Sequence, residues 1–221
     1  LRISDDSRRY HATELMIART RDHPNRIMPE AGPADRRILD LGCGAGQTLI
    51  ALELHPSVFA VGVDRDLASL ELGREWAPGV LFVGADGEAL PFSSQSFDLV
   101  ISRVALPYMN IPVALAEIFR VLTPGGRVWL TLHPARLILG MLGRSLTSMN
   151  YRASIFFTYA LLNGLLFHVT GRLARWPFAR RRYESVQTRR SIMRALRNAG
   201  FQALTIDVAR HFVATAQRPD G

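Results

Sequence analysis

The sequence predicts an α/β protein built on a doubly wound, mostly parallel sheet, and three observations carry that prediction. Strand-length apolar runs rich in Val, Ile and Leu alternate with helical stretches between residues 36 and 134. The first of those runs ends in a glycine-rich turn that opens a helix. Two further strand-like runs close the chain with only about two residues between them, which is the signature of a hairpin and hence of an antiparallel last strand.

The elements follow in order. Residues 8–22 carry a helix, with Leu15, Ile17 and Ala18 set among charges. "RRILDLGCG" is a short buried strand running into the glycine turn, and "QTLIALELH" continues as a helix. "VFAVGVD" is the second strand and "RDLASLELGREWA" its helix; "GVLFVGAD", "FDLVISR" and "GRVWLTLHP" are strands three to five, with the helix "PVALAEIFRVL" between the last two. After Pro134 the rhythm breaks: residues 135–185 give apolar helical stretches studded with Arg and no strand signal. Alternation resumes with the helix "QTRRSIMRALRNAG", which Gly200 closes, and ends with "FQALTIDVAR" and "HFVATAQR". The expected organisation is a core of residues 1–134 and 186–221, including an N-terminal cap helix, with 135–185 as a helical lid inserted after strand five.

Composition narrows the class. With 48% hydrophobic and 21% charged residues in a chain of 221, the protein is globular and large enough for one domain with a full core. A single cysteine, Cys43, leaves no internal disulfide and fits a reducing, cytoplasmic setting. The N-terminal "LRISDDSRRYHATEL" is polar and carries no signal-peptide pattern, although a chain beginning at Leu is compatible with a trimmed N-terminus. Six histidines (His11, His23, His55, His133, His168, His211) are scattered without paired spacing, so no metal site is expected. The formal charge is +8 and every one of the 27 basic residues is Arg. Residues 134–194 hold eleven Arg against one acid, Glu184, so that segment carries +10 and the rest of the chain −2. The basicity therefore belongs to the insertion and its flank.

The chemistry-bearing motif is "ILDLGCGAGQ". Asp40 ends the first strand, and Gly42, Gly44 and Gly46 form a turn whose backbone amides a ligand can approach without interference from Cβ atoms. Asp64 ends strand two, twenty residues after Gly44, where an acid can accept both ribose hydroxyls of a nucleoside. Asp86 ends strand three, placed to accept from an adenine amino group. Three acids at the carboxyl ends of successive strands line one crevice. NAD is the alternative ligand, but its G-x-G-x-x-G spacing is absent because Gln47 follows Gly46.

With "GVDRD", "GADGEALPFSSQSFDLVISRVALPY" and "ALAEIFRVLTPGGRVWLTLHP", these residues resemble the class I S-adenosylmethionine-dependent methyltransferases that modify small molecules. The resemblance covers roughly residues 36–134 and implies a Rossmann-like, seven-stranded sheet. It implies that Asp40 and the Gly42, Cys43, Gly44 and Gly46 loop hold the methionine part of S-adenosylmethionine. Asp64, with Arg65 beside it, would hold the ribose, and Asp86 with Gly87 the adenine; Ser102 and Arg103 would lie next to the sulfonium. His133, after strand five, and Tyr108, after strand four, are the candidate catalytic residues. His133 is the better base because imidazole titrates near neutrality. His168 and Tyr10 could reach the same pocket, but nothing in the sequence orients them. Cys43 has no base positioned for it and reads as packing.

The expected reaction is methyl transfer to a small lipophilic acceptor such as a quinone, a lipid or a polyketide-like molecule. Nucleic acid is disfavoured: "SRVALPY" replaces the Asn/Asp-Pro-Pro-aromatic run of nucleobase amino methyltransferases, and the arginines are interleaved with Leu, Phe and Ile. Two competitors are an RNA methyltransferase using the basic segment and a non-catalytic cofactor-binding interaction protein. The run between Arg152 and Arg172 is apolar nearly all round but broken by Asn163, Gly164 and His168. A single bilayer crossing there would strand the final hairpin on the far side from its own sheet. The expectation is a lid over an apolar pocket, peripheral contact of the Arg-rich ends, especially "RLARWPFARRR", with an anionic membrane on its inner face, or a homodimer interface.

Overall fold

The computed structural model describes residues 3–178 and 183–220. Its centre is a seven-stranded sheet in the order β3-β2-β1-β4-β5-β7-β6. The strands are β1 (Arg37–Leu41), β2 (Phe59–Asp64), β3 (Leu81–Gly84), β4 (Phe97–Arg103), β5 (Leu122–Thr131), β6 (Gln202–Asp207) and β7 (Val213–Gln217). The first five run parallel, and β7 lies antiparallel between β5 and β6. The seven-stranded Rossmann-like architecture expected from the sequence is thus present. The strand order reverses between β1 and β4, so the crevice beyond their carboxyl ends is where a ligand can enter.

Strand periodicity sorts the core onto two faces. Leu39, Leu41, Val100, Val128 and Leu130 are buried with Leu115 and Ile118 of α4 (Ile111–Val121) and Ile192 and Leu196 of α7 (Arg189–Asn198). Ile38, Leu99, Ile101 and Trp129 face the other way with Leu49 of α2 (Gln47–Ala51). α3 (Leu67–Trp76) begins at Asp66, whose side chain accepts from the Ala68 N–H as an N-cap. α1 (Asp5–Arg19) starts three residues before its predicted position, because Ser4 caps it and Asp5 and Asp6 occupy its first turn.

Two local readings are corrected. The helix after the glycine turn is only five residues long, and Glu53 then takes a positive φ of 47° that a helix cannot continue through. The closing strands are shorter than read, so residues 208–212, and not two residues, connect them. In the insertion, the expected helices are α5 (Ala135–Thr147) and α6 (Tyr151–Thr170), but Arg180, Arg181 and Arg182 of the basic run lie outside the described residues.

Asn150 caps α6, and the Ser145 and Ser154 hydroxyls meet at 2.9 Å across the α5–α6 turn. The inner face of α6 is docked firmly on the domain. Phe167 joins the main core, and a Cβ on Gly164 would meet the Val186 side chain at 2.2 Å. The Asn163 amide donates to the Ala174 and Glu184 carbonyls and accepts from the Ala174 N–H, tying the returning chain across the helix. Arg194 donates to the Phe167 and Val169 carbonyls at the helix end, where a cation meets the negative end of the dipole. The insertion then closes on itself: Pro134 and Gln187 form a parallel bridge at its two ends.

Candidate active site

The glycine turn is shaped by its neighbours. Gly42, Gly44 and Gly46 adopt φ of 74°, 55° and 77°, a region L residues rarely enter. A Cβ on Gly42 would sit 2.1 Å from that of Ala105, so the turn after β4 packs directly on the glycine loop. Gly46 is different: its Cβ would strike the Phe82 ring at 2.7 Å, and it lines no part of the crevice, so its role is helix–strand packing. The Gly42 and Cys43 N–H groups donate to the Val63 carbonyl, and the Gly44 N–H donates to the Asp64 carboxylate at 2.8 Å. Asp64 also accepts from the Asp66 N–H, which fixes it at the rim.

Two adjoining cavities, about 420 Å³ and about 180 Å³, open over this loop and share Gly42, Asp64, Ala105 and Tyr108 in their walls. The larger is floored by Cys43, Gly44 and Thr48 and walled by α1 and Arg103; the smaller is apolar, bounded by Leu41, Ala85, Gly87 and Met109, with Arg65 beside Asp64. Of the residues expected from the sequence, Gly42, Cys43, Gly44, Asp64, Arg65, Gly87, Arg103 and Tyr108 therefore come together, and Tyr10 joins them from α1. Asp86 stands one residue outside the lining and accepts from the Glu88 N–H. Ser102 is fully buried on the opposite face of β4 from Arg103 and does not reach the crevice. His168 is engaged with the Thr188 hydroxyl at 2.7 Å, away from the crevice lining.

Asp40 is the most telling residue. It is 1% exposed and neither carboxylate oxygen has a hydrogen-bond partner among the described residues. Burial pushes its pKa up to about 7 even though the Arg103 guanidinium and the nearby Thr48 hydroxyl pull it down. An unsatisfied buried carboxylate under a glycine loop fits a ligand that brings a cation or an N–H donor. Burial also raises the Cys43 thiol well above its ordinary value, next to Asp40 and Asp64, so this cysteine is no thiolate nucleophile.

The sequence did not reveal how α1 is fastened over the crevice. The Gln47 amide donates to His11 Nδ1 at 2.6 Å, which makes Nε2 the protonated nitrogen; it faces the Ser69 hydroxyl at 2.8 Å, which donates to Asp66. Burial lowers the His11 pKa and keeps this ring neutral. Glu14 reaches Arg103 at 3.1 Å, and Arg103 also donates to the Thr48 hydroxyl. Val104, a β-branched residue, is held at φ 61° in the cavity wall, a strained conformation of the kind that collects at functional sites. The contacts of α1 with Gln47, Ser69 and Arg103 have no local sequence signal, because each joins residues from separate elements.

His133 is buried and lines neither cavity. It stands edge-on to the Tyr108 ring, with centroids 5.4 Å apart, so a wall residue separates it from the larger cavity. Burial lowers its pKa. Glu184, returning from the insertion, brings a carboxylate oxygen to 3.8 Å from His133 Nδ1, beyond hydrogen-bond range. The Gln187 side-chain oxygen accepts from the His133 N–H at 3.3 Å, and the Gln187 N–H donates to the His133 carbonyl. Among the described residues, none of 135–185 lines either cavity.

The sheet order, the glycine loop and the acids at the strand ends are those of the class I methyltransferase fold. Residues 39–130 match the family described as "Methyltransferase domain". It is 38% identical over 109 residues to a phthiotriol/phenolphthiotriol dimycocerosates methyltransferase of Mycobacterium leprae, covering 47% of this chain and 40% of that protein. It is 33% identical over 116 residues to a demethylmenaquinone methyltransferase of Renibacterium salmoninarum, covering 52% and 48%. The chain thus spans less than half the length of these relatives. The fold is that of an S-adenosylmethionine-dependent methyltransferase from Mesorhizobium loti, with a TM-score of 0.58 at 21% identity over 86% of this chain and 94% of that one. S-adenosylmethionine is the cofactor that family and fold imply.

Proposed function

We propose that the protein transfers a methyl group from S-adenosylmethionine to a small lipophilic acceptor. The observation that carries the reading is the orphaned, buried Asp40 carboxylate beneath a glycine loop whose Gly44 amide is bound to Asp64. When bound, the cofactor supplies an electrophilic methyl group on a cationic sulfur. Asp40 and the Gly42–Gly44 backbone would receive its charged amino-acid end, Asp64 with Arg65 its ribose, and the apolar cavity by Gly87, with Asp86 at its edge, its adenine. Arg103 at the cavity wall offers a guanidinium for a carboxylate. The chain's main contribution is alignment, which can be worth roughly 7–11 kcal/mol in a displacement of this kind.

His133 is the base for an acceptor that arrives protonated. Its depressed pKa leaves Nδ1 and Nε2 free of charge near neutrality, the state that accepts a proton. Tyr108 is the wall between it and the cavity, and rotation of an exposed ring gives the acceptor access. The lipophilic character of the acceptor is supported by the relatives, named for phthiotriol/phenolphthiotriol dimycocerosates and demethylmenaquinone. The reading is of a cytoplasmic chain, peripheral to the inner face of a membrane, with 135–185 as the contacting segment. The test is to incubate the protein with methyl-labelled cofactor and a cell extract, then partition the products. Label in the organic phase is the expected result; label in precipitated nucleic acid, or none in any fraction, overturns the reading.

A further inference from the structure

α6 has two apolar faces, and only one of them is used by the fold. Ala160, Asn163, Gly164 and Phe167 are buried against the domain. On the opposite side Tyr151, Ile155, Thr158, Leu162, Leu165, Leu166 and Val169 form a stripe about 100° wide along the helix's length of about 30 Å. These side chains stand in solvent: Ile155 is 58% exposed, Leu162 61% and Val169 65%. α5 and its turn add Leu139, Leu146 and Met149, each more than half exposed. Contiguous apolar surface of this extent marks a contact site.

The charges that the hairpin itself carries are of one sign. Arg136, Arg144, Arg152, Arg172 and Arg175 are all exposed, and residues 135–178 contain no Asp or Glu. We infer that the outer face of the α5–α6 hairpin lies flat on an anionic lipid surface, the α6 stripe entering the acyl boundary and the arginines meeting the headgroups. This names the membrane contact of the proposed lipophilic-acceptor enzyme, and locates it on an apolar helix face and not in the arginine run alone.

Three other occupants fit the surface less well. A second copy of the chain in a two-fold contact would set these arginines against their own equivalents. A polyanion such as RNA would match the charge and leave the leucine stripe unpaired. α6 is long and apolar enough, at mean hydropathy 1.4, to cross a bilayer. Crossing would tear Phe167 from the core and Asn163 from its three backbone partners. In-plane docking needs no such rearrangement, and interfacial helices are recognised by this pairing of an apolar face with flanking cations.

The experiment is flotation of the full chain with vesicles of phosphatidylcholine containing 30% phosphatidylglycerol, and with phosphatidylcholine alone. The wild type should float with the anionic vesicles, and added salt should weaken but not abolish binding. Ile155→Ser with Leu162→Ser should lower partitioning by roughly tenfold or more, since each loses buried apolar area. Arg144→Gln with Arg152→Gln should lower it for anionic vesicles only, by several-fold for each charge removed. No flotation at low salt overturns the inference. So does flotation unchanged by the Ile155 and Leu162 substitutions, or a dimer in light scattering that those substitutions dissociate. S-adenosylhomocysteine binding by calorimetry separates the two readings. Intact binding without flotation removes only the docking surface, whereas flotation without binding removes the enzyme reading.

Discussion

Replacing Asp40 by Asn should stabilise the ligand-free protein at alkaline pH while it disables the crevice. The Asp40 carboxyl has an ordinary pKa of 3.8 and is pushed up to about 7 in the fold. The folded state therefore holds the proton more tightly than the unfolded chain does. Stability is full below pH 3.8, falls as pH rises towards about 7, and stays reduced above that. About three pKa units at 1.36 kcal/mol each put the penalty on the order of 4 kcal/mol at pH 8, but only about 1 kcal/mol at pH 4.5. Asn carries no charge and its contribution is flat across this range. Its buried amide costs about 1–3 kcal/mol for missing partners, and that cost is equal at both pH values.

The comparison that matters is thus a difference of differences. Relative to wild type, the variant should gain about 3 kcal/mol in going from pH 4.5 to pH 8, which for a chain of this length is roughly 6–12 °C in Tm. Calorimetric melts of both proteins at the two pH values measure it. A gap in Tm that does not change with pH would refute the argument, because Asp40 would then be ionised without penalty or protonated throughout. The same carboxylate must ionise to hold a cationic amine, so wild-type affinity for S-adenosylhomocysteine should weaken as pH falls below about 7. The Asn variant should lose at least tenfold in affinity and show no such trend.

Four further outcomes follow from the packing and the site. Gly42→Ala should abolish cofactor-analogue binding and cost about 1–3 kcal/mol in denaturant melts, because φ is 74° and the new Cβ would lie 2.1 Å from Ala105. Phe167→Ala should cost about 3–5 kcal/mol, since this fully buried ring anchors α6 to the main core. His133→Gln should lower kcat by about 10²–10⁴-fold with little change in KM. In the wild type, kcat/KM should rise with pH through a value below the ordinary 6.5 and then level, and the variant should lose that limb. Glu14→Gln should leave the melt within about 1 kcal/mol of wild type, as a partly exposed pair contributes little, while stopped-flow mixing with S-adenosylhomocysteine shows faster entry past a loosened α1.

The succession of strands along the chain and the carboxyl-end crevice could be read because they rest on short-range patterns. "RRILDLGCG", "VFAVGVD" and "FDLVISR" are buried on both faces, and their lengths and glycine punctuation suffice to place them. Boundaries failed where a backbone conformation intervened: Glu53 at positive φ cuts α2 short, and residues 208–212 keep the closing hairpin apart. Within the site, Asp64 followed from its strand-end position and Gly87 from the family resemblance. Ser102 did not, because one residue along a strand reverses the face, and the crevice takes Arg103. Gly46 matched the motif yet serves the Phe82 ring.

The fastening of α1 and the approach of Glu184 to His133 lay beyond any local pattern, since His11 and Ser69 are 58 residues apart and His133 and Glu184 are 51 apart. The hairpin is a harder case, because the sequence carried the right information in a form that pointed two ways. A helix apolar all round is buried, or it meets something apolar outside the protein. Composition cannot separate these, and the weak amphipathicity of α6 argues for burial on every side. What decides is the small-residue seam, Ala160 and Gly164, with Asn163 and Phe167 beside it. Those residues let the helix sit close to Val186 on one side only, and with that side spent, the leucines of the other stand exposed among the described residues. An acceptor soluble in water would give no reason to keep such a face uncovered. An acceptor held in lipid requires the crevice to approach the lipid, and the hairpin joins the sheet directly after β5, at the same carboxyl edge that forms the crevice.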